Sequence, residues 1–203
     1  MKYRPEEKIE YDEVFFTKEP YDKFAHCKGQ GIFKEQVDML IEVFGSFSNK
    51  KVLDVGGALG WLAVRFLDVG ADAYCQEVSE WACKNSPITN RMFCQDAGEG
   101  LLFDDSTFDY VVSIEALEHV DNVRFALKEI SRVLKPGGYF YCSVGYSDVM
   151  SHIHVGNDDD WVLLLDAIPD MKIDWTLTRK IRMTRLCSAN KWHAFILIKS
   201  WGE

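Results

Sequence analysis

The stretch Lys51-Val52-Leu53-Asp54-Val55-Gly56-Gly57-Ala58-Leu59-Gly60 constrains the fold of this chain more than any other. A short β-prone run stops at a glycine pair, and Trp61-Leu62-Ala63-Val64-Arg65-Phe66-Leu67 then resumes as a helix ended by Gly70. A strand that turns at once into a helix must be followed by a strand parallel to the first, and the sequence supplies one in Ala73–Glu77. The alternation continues. Ser79 suits the N-cap of a helix that Pro87 limits. Residues Arg91–Gln95 are strand-like, and Phe108–Ile114 is the near-continuous β-branched and aromatic run of a strand buried on both faces. Val123–Leu134 reads as a helix with Phe125, Leu127, Ile130, Val133 and Leu134 apolar. Pro136-Gly137-Gly138 breaks it, and Tyr139–Val144 is the next strand. Upstream, Phe33, Val37, Leu40, Ile41 and Phe44 recur at helical spacing, which predicts an amphipathic helix over Phe33–Phe47.

The last quarter reads differently. Trp161–Ile168 is a short helix. Two β-prone stretches, around Lys172–Leu186 and Trp192–Trp201, flank Ser188-Ala189-Asn190-Lys191 and predict an antiparallel hairpin. No internal repeat or low-complexity linker divides the 203 residues, so one domain is expected over 1–203.

Composition excludes several classes. No apolar run approaches the ~18 residues of a membrane span, and the N-terminus is polar without a signal-like apolar stretch, so a cytoplasmic protein is expected. A net charge of -9 argues against a surface that coats nucleic acid. The local excess of Lys172, Arg179, Lys180, Arg182, Arg185 and Lys191 over Asp170 and Asp174 reads as a solvated strand face. The six cysteines contain no C-x-x-C pair and no metal-ligand spacing. Cys75, Cys94 and Cys142 fall in expected buried strands, where cysteine acts as a small hydrophobe.

In a parallel α/β sheet, ligands bind beyond the carboxyl ends of the strands, where strand order reverses. Glycines at 56, 57 and 60 let the backbone approach such a ligand. Glu77 ends the next strand, 23 residues after Asp54, where a carboxylate can accept hydrogen bonds from both ribose hydroxyls of an adenosyl group and would repel a 2′-phosphate. Gly60 is followed by Trp61 rather than the Gly-Lys-Ser/Thr of a nucleotide-triphosphate loop.

Three further segments complete the pattern: Phe93-Cys94-Gln95-Asp96-Ala97, the run F-D-Y-V-V-S-I-E-A-L-E-H-V over Phe108–Val120, and L-K-P-G-G over Leu134–Gly138. Together with V-L-D-V-G-G-A-L-G they resemble the class I S-adenosylmethionine-dependent methyltransferases over residues 50–145. The resemblance implies a Rossmann-like three-layer α/β sandwich: a seven-stranded, mostly parallel sheet with a C-terminal antiparallel hairpin and helices on both faces. It implies S-adenosylmethionine as cofactor and S-adenosylhomocysteine as product. It also implies roles by position. Asp54 would orient the glycine turn near the cofactor's amino acid end, and Gly56, Gly57 and Gly60 would let the backbone pass close. Glu77 would hold the ribose, Asp96 and the Ala97 amide the adenine, and Ile114 and Glu115 the methionine part. The family's D-x-G-x-G-x-G has Ala58 at its middle glycine here. If that position needs positive φ, the substitution costs about 1 kcal/mol.

A shorter likeness joins Tyr11-Asp12-Glu13-Val14-Phe15-Phe16 and Ser151-His152-Ile153-His154-Val155 with Trp161 to methyltransferases of cell-surface sugar and small-metabolite pathways. It implies that residues 1–30, rich in rings at Tyr11, Phe15, Phe16, Tyr21 and Phe24, form a lid, and that the segment 145–170 faces the acceptor. Methyl transfer from a sulfonium needs positioning more than proton chemistry. Where a base is needed, His154 is the preferred candidate, and His119 at the rim of the pocket is the second. A small-molecule or sugar O- or N-acceptor is the expected substrate. Nucleic acid is disfavoured, because S-I-E-A stands at 113–116 where amino-directed nucleic-acid enzymes carry D/N-P-P-Y/F. A macromolecular acceptor, nucleic acid or protein, or a non-catalytic cofactor-binding subunit, stays open as an alternative.

Overall fold

The structure, a computed structural model, describes residues 1–5, 9–18, 31–145, 152–190 and 193–201. Its strands are β1 (Lys2–Tyr3), β2 (Lys51–Val55), β3 (Asp72–Glu77), β4 (Met92–Cys94), β5 (Phe108–Ile114), β6 (Leu134–Val144), β7 (His154–Val155), β8 (Met171–Ile173) and β9 (His193–Lys199). The helices are α1 (Glu13–Thr17), α2 (Ile32–Phe44), α3 (Trp61–Asp68), α4 (Glu80–Asn85), α5 (Val123–Val133), α6 (Asp158–Asp166), α7 (Trp175–Arg182) and α8 (Arg185–Asn190). Seven strands form one sheet in the order β4-β3-β2-β5-β6-β9-β8. The first five run parallel, and β9 joins antiparallel between β6 and β8. Strand order reverses between β2 and β5, which puts the switch point at the glycine turn.

The apolar runs are continuous because both faces of the sheet are covered. Leu53, Val111 and Cys142 point to the layer of α5 and α6, among Ala126, Leu127, Ile130, Trp161 and Leu164. Their neighbours Val52, Val112 and Tyr141 point to the layer of α2, α3 and α7, among Val37, Leu40, Leu62, Phe66 and Ile181. Each such side chain, fully removed from water, contributes about 1.5–3 kcal/mol. At the sheet edge the rule lapses. Cys94, expected in a buried strand, lies exposed, because β4 has a partner on one side only.

The predicted C-terminal antiparallel hairpin is present, with shifted bounds. Its strands β8 and β9 do pair antiparallel, but the β-prone stretch Lys172–Leu186 is mostly helical, and Ser188-Ala189-Asn190 lies within α8 rather than in a turn. Asp174 starts α7 by accepting a hydrogen bond from the Leu177 amide at 2.9 Å. Thr178 Oγ1 accepts from the Ile196 amide at 3.0 Å and ties the helix to β9. Of the basic residues expected on a strand face, Lys172 lies in β8, Arg179, Lys180 and Arg182 on α7 and Arg185 on α8, while Lys191 lies outside the described residues; two serve the fold. Lys180 Nζ donates to the Glu42 and Val43 carbonyls at the end of α2. Arg182 pairs with Asp158 at 2.8 Å and lies over the Phe195 ring. A smaller shift occurs at β6, which begins at Leu134. Its register slips against β5 between Phe108 and Tyr110, and this absorbs Pro136-Gly137-Gly138 as an irregularity within the strand. No described helix is long and apolar enough to cross a membrane.

Candidate functional site

The glycine turn leaves β2 at the switch point. Gly56, Ala58 and Gly60 all have positive φ, at 75°, 52° and 76°. Gly57 needs its lack of a side chain for a different reason. A Cβ there would lie 2.7 Å from Cys75 Sγ, 2.6 Å from Asp54 Cγ and closer still to Asp54 Oδ2. Asp54 is thus buried beneath the turn it was expected to orient, and Oδ2 has no hydrogen-bond partner. Burial first, and the Glu77 charge second, push its carboxyl up to about 8, so the acid is neutral at pH 7. Ala58 carries the strain that its substitution for glycine implied, about 1 kcal/mol.

Glu77 is held at the end of β3 by two amides. Its Oε2 accepts from Ala58 at 2.9 Å and its Oε1 from Ser79 at 2.9 Å. A carboxylate offers roughly four acceptor sites, so two are left for ribose hydroxyls. Burial raises its pKa, and the amides of Ser79, Ala58 and Val78 oppose that rise. Beyond β4, Asp96 Oδ1 accepts from the Gly98 amide at 2.8 Å, and Ala97 is buried. A Cβ on Gly98 would come 3.2 Å from Val120, so the Asp96 loop lies against the segment after β5. Ile114 ends β5, and Glu115 follows in the left-handed region at φ 51°, its amide bonded to the Ser143 carbonyl at 3.0 Å. A Cβ on Gly56 would meet Ala116 Cβ at 2.5 Å. The turn and the Glu115 segment are therefore in contact, and Asp54, Gly56, Gly57, Gly60, Glu77, Asp96, Ala97, Ile114 and Glu115 gather at the carboxyl ends of β2–β5.

The two candidate bases are placed differently. His154 is buried in β7. Its Nε2 lies 2.9 Å from the Val120 carbonyl and 3.2 Å from that of Asp121, and its ring stacks on Tyr3 at 5.1 Å. A nitrogen facing two carbonyls must carry its proton, so Nε2 cannot accept one. That leaves Nδ1 as the nitrogen that a base would use, while the ring joins β1 and β7 to the segment after β5. His119 lies edge-on to Tyr11 at 6.1 Å and to His152 at 4.8 Å.

Sequence reasoning passed over Glu118, although it stands in the quoted run. It is fully buried. Its Oε1 accepts from the Gly145 amide at 2.7 Å and lies 4.0 Å from His152 Nε2. Burial, then the Glu115 charge, push its carboxyl up to about 8. The signal available was the spacing E-x-x-E-H over Glu115–His119.

The N-terminal segment lies over the turn. Phe16 stacks on Trp81 at 5.6 Å and packs with Leu59, Ala82, Tyr11, Phe15, Ala58 and Trp61. Ser79 Oγ donates to the Tyr11 carbonyl. Tyr21, Phe24, His26 and Ser151 lie outside the described residues. A groove lined by Lys50, Asp109, Lys135 and Trp201 sits at the opposite, amino end of the parallel strands and has no part in this constellation.

A Rossmann-like sheet with an acidic residue at the end of β3, a glycine turn after β2 and a carboxylate after β4 is the arrangement that the sequence resemblance leads one to expect. Residues 53–142 match the family model described as a methyltransferase domain. The chain is 30% identical over 131 residues to YcgJ, an uncharacterized methyltransferase of Bacillus subtilis, covering 60% of this chain and 52% of that one. It is 32% identical over 147 residues to the ubiquinone/menaquinone biosynthesis C-methyltransferase UbiE of Bartonella quintana, covering 64% and 56%. It thus spans about half the length of the curated relatives it matches. Among solved structures the [4+2]-cyclase SpnF superposes with a TM-score of 0.62 at 18% identity, over 83% of this chain and 82% of that one. Residues 53–142 thus match a methyltransferase domain, and the chain is similar to methyltransferases over 60–64% of its length.

Proposed function

We propose that the chain transfers a methyl group from S-adenosylmethionine to an oxygen or nitrogen atom of a small-molecule or sugar acceptor. The observation that carries the cofactor part is Glu77, fixed by the Ala58 and Ser79 amides with acceptor capacity to spare. The bound cofactor supplies a methyl carbon activated by its sulfonium and keeps the sulfur electron pair as product. Everything else falls to the chain. Glu77 holds the ribose, Asp96 and the Ala97 amide the adenine, and the glycine turn admits the amino acid part beside Ile114 and Glu115. Neutral Asp54 braces the turn from below. The Tyr11–Phe16 segment covers the turn and excludes water. His119, against Tyr11, is the imidazole on the acceptor side.

Relatives named as C-methyltransferases support a second reading, in which the acceptor atom is carbon. Two measurements test these readings. Calorimetry should give micromolar binding of S-adenosylmethionine and S-adenosylhomocysteine, and no binding would overturn the cofactor assignment. Methyl-labelled cofactor incubated with extract metabolites should then label a small molecule at O or N. Label on carbon would move the assignment to the second reading, and label in protein or nucleic acid would refute both.

A further inference from the structure

The segment after β5 and the segment after β6 meet in a cluster that the cofactor does not use. Glu118, His119 and His152 each turn a donor atom into one space, and these atoms lie within 4.8 Å of one another. Glu118 and His119 are adjacent and His152 follows 33 residues later, which is why linear spacing shows no metal motif.

Three observations say what the space is for. First, Glu118 has no exposed surface, and its Oε2 is buried without a hydrogen bond. A carboxyl oxygen in that position is destabilising unless something binds it. Second, Oε1 is tied to the Gly145 amide at 2.7 Å, so the carboxylate is oriented from behind, as metal-ligating carboxylates are. Third, Gly145 packs directly against the cluster. A Cβ there would lie 2.6 Å from His152 Cε1, 2.9 Å from Glu118 Oε1 and 3.1 Å from Glu115 Oε2. A side chain at 145 would therefore displace the groups that the cluster is made of.

We infer that Glu118, His119 and His152 form a binding site for a divalent transition-metal ion that keeps open positions for oxygen atoms of the acceptor. Two imidazole nitrogens and a carboxylate oxygen suit zinc, iron, cobalt or manganese in the +2 state, and three protein ligands leave coordination sites free. Ligands about 2.1 Å from one ion stand roughly 3–4 Å apart, so closure needs side-chain shifts of about an ångström. Glu115 brings a second carboxyl group to the same space. The contact of Gly56 with Ala116 puts this segment against the cofactor turn. An acceptor hydroxyl on the ion would face that turn and release its proton to solvent more readily than a free hydroxyl. The acceptor part rests on the methyl-transfer reading, whereas the ion site does not.

The test uses the tag-free full chain stripped with chelator. Titration with Co²⁺, followed by visible absorption and equilibrium dialysis, should show one ion per chain with ligand-field bands, displaced by Zn²⁺. Glu118→Gln, His119→Ala and His152→Ala should each weaken Co²⁺ binding at least tenfold while S-adenosylhomocysteine still binds. If the buried positions fail to fold when changed, His119→Asn at the half-buried position carries the comparison. Catechol, as a chelating pair of oxygens, should shift the Co²⁺ bands. No stoichiometric uptake, or equal affinity in folded His119 variants, would overturn the site, and bands indifferent to catechol would overturn the open positions. A protein that takes up Co²⁺ but not S-adenosylhomocysteine would refute the methyl-transfer reading and leave the ion site standing.

Discussion

Replacing Gly57 by alanine tests whether the glycine turn is built on its buried neighbours. The residue has an ordinary φ, so the penalty comes from packing alone. The added methyl meets Cys75 Sγ at 2.7 Å and Asp54 Cγ at 2.6 Å. Both neighbours are buried, and Asp54 has no empty space to rotate into without leaving its place under the turn. Overpacking of this kind costs about 1–3 kcal/mol, which in a domain of this size lowers Tm by roughly 2–4 °C per kcal/mol. If the turn yields instead of the core, the Ala58 amide moves off Glu77 Oε2 and the cofactor loses its ribose anchor. Either response is visible in one pair of measurements: a melt without ligand and a calorimetric titration with S-adenosylhomocysteine. Adding Cys75→Ala should restore part of the loss, because it removes one of the two clashing groups, with a coupling of about 0.5–3 kcal/mol. Ala58→Gly, one residue on, is the control. It relieves left-handed strain of about 1 kcal/mol and gives back a similar amount as unfolded-state entropy. A Gly57→Ala protein with unchanged Tm and unchanged affinity would refute the packing argument.

Glu77→Ala should lose at least tenfold in affinity for S-adenosylhomocysteine, since hydrogen bonds to a charged group are worth about 1.5–3 kcal/mol each; equal calorimetric affinity would remove Glu77 from the site. Asp54 gives a pH prediction. Its pKa is raised from 3.8 to about 8 on folding, so the native state holds a proton that the unfolded state releases. Stability is therefore lost as pH rises from about 4 to about 8, by at most about 1.4 kcal/mol per unit. In urea melts at pH 5 and pH 8, Asp54→Asn should lose less stability than the wild-type chain, and parallel losses would contradict the neutral acid. His154→Ala should lower Tm by removing the ring that bonds Val120 and stacks on Tyr3, with cofactor affinity kept; an unchanged Tm would show that the β1–β7 seam does not depend on it.

How far the sequence could be read depended on burial. β2, β3 and β5 were plain in the letters because each is buried on both faces, so Val52-Leu53 or Val111-Val112 shows no polar interruption. The residues proposed to hold the cofactor at the ends of β2, β3 and β5 stand where such strands stop, whereas Asp96 and Ala97 follow the edge strand β4. Helix α7 was not plain, because Trp175-Thr176-Leu177-Thr178 is rich in β-forming types. The decisive signals were local: the Asp174 cap, and the helical spacing of Thr178 and Ile181, its buried residues. For the Glu118–His119–His152 cluster the E-x-x-E-H spacing offered Glu118 and His119 only, because His152 is brought beside them by the fold. For His154, residue type and loop position suggest a base, and the carbonyls that Nε2 faces are a feature that no sequence pattern encodes.

The left-handed residues at the site bear on how this protein would respond to selection for stability. Ala58 and Glu115 both sit at positive φ next to the same cleft. A search for thermostable variants should reach both positions, since glycine or asparagine relaxes either backbone. The two would then part ways. At 58 the side chain is a methyl group, and relaxation forfeits little. At 115 the relaxed variant surrenders a carboxylate that borders both the cofactor turn and the space beside Glu118. A stabilised variant that has changed 58 and kept 115 would be evidence that the site, rather than the fold, holds Glu115 in its place.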